Sequence, residues 1–281
     1  MYRELYRFGG MTFALESDAP LERSPVCEAF RVPDGVPDHT ICLRFSDALP
    51  TPPTDALRRD DVFRWQAGAQ RHLLQWVSAP GDIPHFTYAV THGAHTDVIF
   101  ASAYRTGASV STALEAVGLF DVFAARGMLV LHSAYIVTSA GEAILFSGPS
   151  GIGKSTQAAL WQRCAGARVV NGDRALVDVG RRTANGIFYA GTSGISENVT
   201  APIRAIVLLG QSSENRVFIP SPRAAFAGVL SQCAYYEWDA RSAEQMTECV
   251  ARLVSDVPVL RMDCLPDATA VEALRGKLGG I

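Results

Sequence analysis

The stretch Ala143-Ile144-Leu145-Phe146-Ser147-Gly148-Pro149-Ser150-Gly151-Ile152-Gly153-Lys154-Ser155-Thr156 decides how this chain reads. From Gly148 onward it matches the phosphate-binding pattern G-x-x-x-x-G-K-[ST] in full. The apolar run Ala143–Phe146 predicts a strand feeding the loop, and a helix is expected from about Ser155 to Cys164. The glycines let consecutive backbone N–H groups turn inward as an anion nest, and the helix N-terminus adds its positive end. Lys154 is a point charge for the β- and γ-phosphates, and Ser155 offers its hydroxyl to Mg²⁺. Gly148, Ser150, Gly151, Ile152, Gly153, Lys154, Ser155 and Thr156 are therefore the candidate nucleotide-binding residues. The chain has only two lysines, Lys154 and Lys277, and one of them stands where the motif requires lysine.

Working outward, Arg168-Val169-Val170 predicts a short strand ending at Asn171-Gly172-Asp173. Asp173 follows Lys154 after one helix, a turn at Gly166-Ala167 and that strand, so it returns to the edge of the loop. There it would bind metal or accept the proton of an attacking hydroxyl; a plain turn aspartate is the alternative. On the other side, Met128–Ser133 and Tyr135–Val137 predict two short strands, with a turn at Ser139-Ala140-Gly141. If the first pairs with Ala143–Phe146, His132 faces the γ-phosphate; otherwise it is a core histidine. Arg174 is a candidate phosphate partner or a surface arginine. The small-residue loop Gly191–Asn198 is a candidate lid or a plain surface loop, and its Glu197 a candidate metal ligand.

Further on, Ile203–Leu209 and Val257–Met262 read as strands. Ala224–Gln232, Ala243–Ser255 and Asp267–Leu278 read as helices. Before Gly127 the grammar differs. Thr40–Phe45, Val62–Trp65 and His72–Trp76 alternate like short strands, Ala48–Thr54 reads as a loop, and Ser111–Arg126 as one amphipathic helix. The expected class is α/β, with a β-rich N-terminal lobe over residues 1–126 and a phosphate-loop domain over residues 127–281.

Composition sets the outer limits. The 281 residues are 48% hydrophobic and 19% charged, which is a globular balance. Net charge is 25 − 28 = −3, which argues against a nucleic-acid partner. No apolar run approaches the ~18 residues of a membrane span, and Met1–Tyr6 lacks a signal-peptide core, so a cytoplasmic setting is expected. The cysteines Cys27, Cys42, Cys164, Cys233, Cys249 and Cys264 are scattered singly and read as buried, reduced hydrophobes. His92-Gly93-Ala94-His95-Thr96-Asp97 is a weak metal signal, lacking a third ligand at a known spacing. Tyr235-Tyr236-Glu237-Trp238 reads as packing or an interface before it reads as a base-stacking platform.

With these residues on the page, the block Leu131-His132-Ser133-Ala134, the strand and loop Ala143–Ser155, and Val169-Val170-Asn171-Gly172-Asp173 resemble the HPr kinase/phosphorylase family. The resemblance covers roughly residues 127–180, and loosely reaches the C-terminus through Ala201-Pro202-Ile203 and Val257-Pro258-Val259. It implies a core like that of phosphoenolpyruvate carboxykinases. It also implies transfer of phosphate from a nucleotide, with Mg²⁺, to a serine hydroxyl. Carried over, His132 matches the family's histidine before the loop, Lys154 and Ser155 its phosphate and metal residues, and Asp173 one acid of its Asp pair. Gly172 stands where the first acid would be, and the family's arginine-rich second signature has no clear counterpart. Neither the reverse reaction nor the hexamer is carried over. The chain is also similar to HPr-kinase-like proteins found beside clusters for ribosomally made peptides, some of which phosphorylate a serine of a precursor peptide, lasso peptides included.

The expected activity is thus an ATP-dependent kinase acting on a serine of a peptide or protein. Asp173, His132 and Lys154 would be catalytic, and Ser155 and Asp173 would hold Mg²⁺. A homo-oligomer is left open. The rivals are a small-molecule hydroxyl kinase of the same fold, a nucleotide-sensing regulatory ATPase, and a carboxykinase-like enzyme acting on an oxo acid. The last needs further His, Lys and Asp metal ligands that a chain with two lysines hardly supplies.

Overall fold

Alternating apolar and polar residues in the first part of the chain pair into one large sheet, as period-2 patterning dictates. The computed structural model describes residues 1–48, 50–77 and 85–280. It divides into two units, Met1–Val122 and Phe123–Ile281. The first holds β1 (Tyr2–Phe8), β2 (Met11–Ser17), α1 (Pro25–Glu28), β3 (Arg31–Val32), β4 (His39–Phe45), β5 (Leu57–Arg59), β6 (Val62–Ala67), β7 (Gln70–Val77), β8 (His85–His92) and β9 (His95–Phe100). The nine strands lie in the order β3-β1-β2-β4-β9-β8-β7-β6-β5. All pairs are antiparallel except β2 with β4 and β4 with β9. The strands expected at 40–45, 62–65 and 72–76 fall inside β4, β6 and β7. Pro50–Pro53 form neither strand nor helix, while Leu49 of the expected loop lies outside the described residues.

One face of this sheet is apolar. Phe8 packs on Phe13 and Phe30 at ring-centroid distances of 5.7 and 5.0 Å, and Ile41, Val98 and Phe100 are buried beside them. The helix expected over 111–126 is two, α2 (Val110–Glu115) and α3 (Leu119–Ala124). Gly118 separates them at φ +67°, a left-handed turn that an α-helix cannot carry through.

The second unit contains β10 (Met128–Val137), β11 (Ala143–Ser147), α4 (Lys154–Ala165), β12 (Arg168–Asn171), β13 (Arg174–Asp178), β14 (Thr183–Asn185) and β15 (Thr200–Gln211). There follow β16 (Arg216–Phe218), α5 (Pro222–Leu230), α6 (Ala240–Asp256), β17 (Val259–Cys264) and α7 (Ala268–Leu278). β11, β15 and β17 run parallel, and β10 runs antiparallel to β11. The two long strands change partners along their length. β10 pairs with β13 over Met128–His132 and with β11 over Ser133–Val137. β15 pairs with β14 at its start, then with β11 and β17. The two strands expected at 128–133 and 135–137 are therefore one, because Ala134 continues the pleat and only the partner switches. Val257 closes α6, so the strand expected from 257 begins at Val259.

Both faces of the parallel strands are covered, which is why they read as unbroken apolar runs. Along β11, Ala143 and Leu145 join a core with Val229 of α5 and Val250 and Leu253 of α6. Ile144 and Phe146 face Leu160 and Trp161 of α4 and Leu274 of α7. No helix among the described residues is long and apolar enough to cross a membrane. Cys27, Cys249 and Cys264 are buried, but Cys164 is exposed and Cys42 and Cys233 are half-buried, so the expectation of six buried cysteines holds for three.

Candidate functional site

The glycine-rich loop leaves the C-terminal end of β11 and enters α4 at Lys154, the place where parallel α/β sheets bind ligands. Gly153 caps the helix at φ +112°, a backbone state that side-chain-bearing residues rarely adopt, and this turn presents the first helical N–H groups to the loop. Ser155 and Thr156 are exposed at that terminus. Lys154 is only 7% exposed and folds back over the loop. Its Nζ donates to the carbonyl oxygens of Gly148 (2.9 Å) and Pro149 (3.1 Å). Burial lowers its pKa, and the nearby Asp173 carboxylate works in the opposite direction.

Asp173 reaches the loop through strand pairing. The Ser133 N–H donates to the Asp173 carbonyl at 2.9 Å, and His132 sits opposite Arg174 in the β10–β13 ladder. His132 Nε2 lies 3.5 Å from Asp173 Oδ1, and Arg174 Nε lies 3.3 Å from Oδ2. The hydrogen bond from His132 and the charge of Arg174 hold the Asp173 carboxyl below the usual carboxylate range, against a smaller opposing effect of burial. The Ser147 hydroxyl, at the root of the loop, donates to the His132 carbonyl at 2.8 Å. Arg174 also lies over the Tyr189 ring at 5.1 Å, so it is part of the cluster and not a plain surface arginine.

Asn171 is the residue that motif reasoning passed over. It is fully buried, and its Oδ1 accepts from the N–H groups of both Asp173 and Arg174 at 2.9 Å. Its Nδ2 donates to the Ile187 carbonyl at 2.8 Å. The clue lay in Asn-Gly-Asp itself, since asparagine two residues before an N–H is the usual donor-capping partner in a tight turn. Asn171→Ala leaves the N–H groups of Asp173 and Arg174 without their side-chain partner, while the Ile187 carbonyl keeps the Ser196 hydroxyl, and is expected to cost about 2–3 kcal/mol in urea unfolding.

Gly172 is explained by its neighbour. A Cβ there would stand 2.2 Å from Ser193 Oγ, so the hydroxymethyl of Ser193 occupies the room that a second acid would need. The turn Gly191–Ser193 also packs against Asp173. Gly172→Ala is expected to destabilise the protein by about 1–3 kcal/mol through overpacking. Adding Ser193→Gly should restore most of the loss in thermal melts.

Other candidates fall elsewhere. Glu197, a weaker candidate for metal, has its Oε2 held by Arg168 Nε at 2.6 Å on the surface, because β12 brings that guanidinium alongside it. The Gly191–Asn198 loop is pinned to β12 by the Asn171–Ser196 bridge, and to the segment after β14 by the Ser196 hydroxyl donating to Ile187 O at 2.6 Å. Tyr236 and Trp238 meet edge to face at 6.0 Å, and Tyr235 packs on the core, which is the packing role expected of them. His92 and His95 face each other across the β8–β9 hairpin. Neither a protein-family model nor a curated protein matches this chain.

Proposed function

We propose that the second unit is an ATP-dependent phosphotransferase of the HPr kinase type that acts on a serine hydroxyl of a peptide or protein. One observation carries the reading: a full phosphate-binding loop whose buried lysine feels a carboxylate that β10 and β13 anchor beside it. The resemblance of residues 127–180 to that family supports it. The loop N–H groups and the α4 N-terminus hold the phosphates, and a phosphate oxygen competes with the Gly148 and Pro149 carbonyls for Lys154. The Ser155 hydroxyl and Asp173 carboxylate are hard oxygen donors of the kind Mg²⁺ takes, and bound there it would neutralise charge on the phosphates. In the transfer, the acceptor oxygen bonds to the γ-phosphorus as the bond to the β–γ bridging oxygen breaks and ADP leaves. Asp173 receives the acceptor's proton, and His132 orients the carboxylate.

The test is transfer from γ-labelled ATP with Mg²⁺ to a panel of serine peptides and free hydroxy metabolites, read by mass spectrometry. Phosphate on a peptide serine, lost in Lys154→Ala and in Asp173→Asn, is the expected result. Phosphate only on a metabolite would move the acceptor to a small molecule. ATP binding without transfer, unchanged in Asp173→Asn, would replace the kinase by a nucleotide sensor.

A further inference from the structure

The first unit carries a second group of reactive side chains that the phosphate chemistry does not use. β2, β4 and β9 are parallel neighbours, and their register places Glu16, Cys42 and Asp97 in one row across three strands. Alternation along these strands puts Ile41, Leu43, Thr96 and Val98 into the core. Cys42, His95 and Asp97 therefore project together from the opposite face, and are partly exposed there. Among the described residues they form the one group of mixed metal-binding side chains, with a ligand atom from each within 4.8 Å of the others. His92, opposite His95 at the hairpin turn, is not part of it.

Two of the distances already have the size a small tetrahedral ion imposes. His95 Nε2 lies 3.4 Å from Asp97 Oδ1, and Cys42 Sγ lies 3.5 Å from Glu16 Oε2. Bonds of about 2.0–2.3 Å to zinc give ligand–ligand edges of roughly 3.3–3.8 Å. The row is also negatively charged, with Glu16 shared with Arg3 at 3.1 Å. Sulfur, imidazole and carboxylate together suit zinc and disfavour magnesium or calcium, which take oxygen alone.

The geometry points to a zinc site on the outer face of the first unit's sheet, formed by Cys42, His95 and Asp97, with its fourth position left to solvent or to the Glu16 carboxylate beside Cys42. The ion replaces the Cys42 thiol proton, so a sulfur–zinc bond forms and one proton passes to solvent for each ion bound. The ion clamps β4 and β9 together, and β2 with them where Glu16 takes the fourth position.

Purified full-length protein, stripped with chelator, tests this with Zn²⁺ and with Co²⁺ as a spectroscopic substitute. The expected result is one tight equivalent of Zn²⁺ in competition with a chromophoric chelator, and a thiolate-to-cobalt charge-transfer band. Cys42→Ser and His95→Ala should each weaken binding by about 100-fold or more and abolish the thiolate band or reshape the cobalt spectrum. Cys164→Ser, at the exposed cysteine, and His132→Ala, in the phosphate site, should leave both readouts unchanged. Zn²⁺ should raise the melting temperature of wild type and not of Cys42→Ser, a comparison that each protein makes against its own metal-free form. Absence of a thiolate band, or binding that survives in Cys42→Ser and His95→Ala but is lost in His132→Ala, would overturn the assignment.

Discussion

Lys154→Ala is expected to lower kcat/KM for phosphoryl transfer by about 10³-fold, a loss of roughly 4 kcal/mol of transition-state stabilisation. The size follows from where the charge sits. Lys154 is buried, so its field is poorly screened, and its hydrogen-bond partners among the described residues are two carbonyls of its own loop. A phosphate oxygen exchanges one neutral acceptor for an anionic one, at little reorganisation cost. Removing the ammonium therefore removes charge stabilisation without unfolding the loop, whose shape rests on its glycines and on Gly153 at the helix cap. Circular dichroism should stay native while turnover and nucleotide affinity fall. Lys154→Arg should not rescue, because a planar fork does not fit where a compact ammonium lies against Gly148 and Pro149.

The companion variant Asp173→Asn separates charge from shape. Asp173 has a lowered pKa in the folded protein, so its carboxylate contributes stability above the ordinary carboxylate value, and that stability is lost as pH falls through the lowered value. The acid limb of the urea midpoint against pH should therefore flatten in Asp173→Asn. The neutral-pH rate should fall because the amide no longer accepts a proton.

The second large effect lies outside the proposed catalytic unit. Asp121→Ala should destabilise the first unit by about 3–5 kcal/mol in urea. Arg64 Nη2 donates to Asp121 Oδ2, and Arg71 Nη1 approaches the same oxygen at 3.7 Å. The Arg64 and Asp121 side chains are 8% and 10% exposed, so alanine leaves a buried guanidinium facing a hole. Replacing both by apolar residues of similar size, Arg64→Met with Asp121→Leu, should recover most of the loss. The penalty belongs to the stranded charge more than to the missing attraction. A double variant as unstable as Asp121→Ala would show instead that the pair specifies the packing of α3 on β6.

Much of the core fold was legible along the chain. The strand–loop–helix at 143–165 and the closing helix over 267–278 needed only local periodicity and glycine chemistry. Helix ends were less so: Gly118 splits one apolar pattern into two helices, and an amphipathic stripe passes over such a break unnoticed. Strands β13, β14 and β16 were not anticipated, since they are three to five residues long and carry too little periodicity to stand out.

Lys154 and its loop were determined by the sequence alone, because every part of that motif is contiguous and its chemistry follows from residue types in order. Which groups meet it was decided by the tertiary structure. His132 touches Asp173 because β10 changes partners at Ser133, and Gly172 replaces an acid because Ser193 fills its space. Cys42 meets His95 and Asp97 only through parallel pairing of β4 with β9. Contacts between distant segments depend on register, and register is set by burying whole strand faces at once, a sum that no single stretch of residues contains.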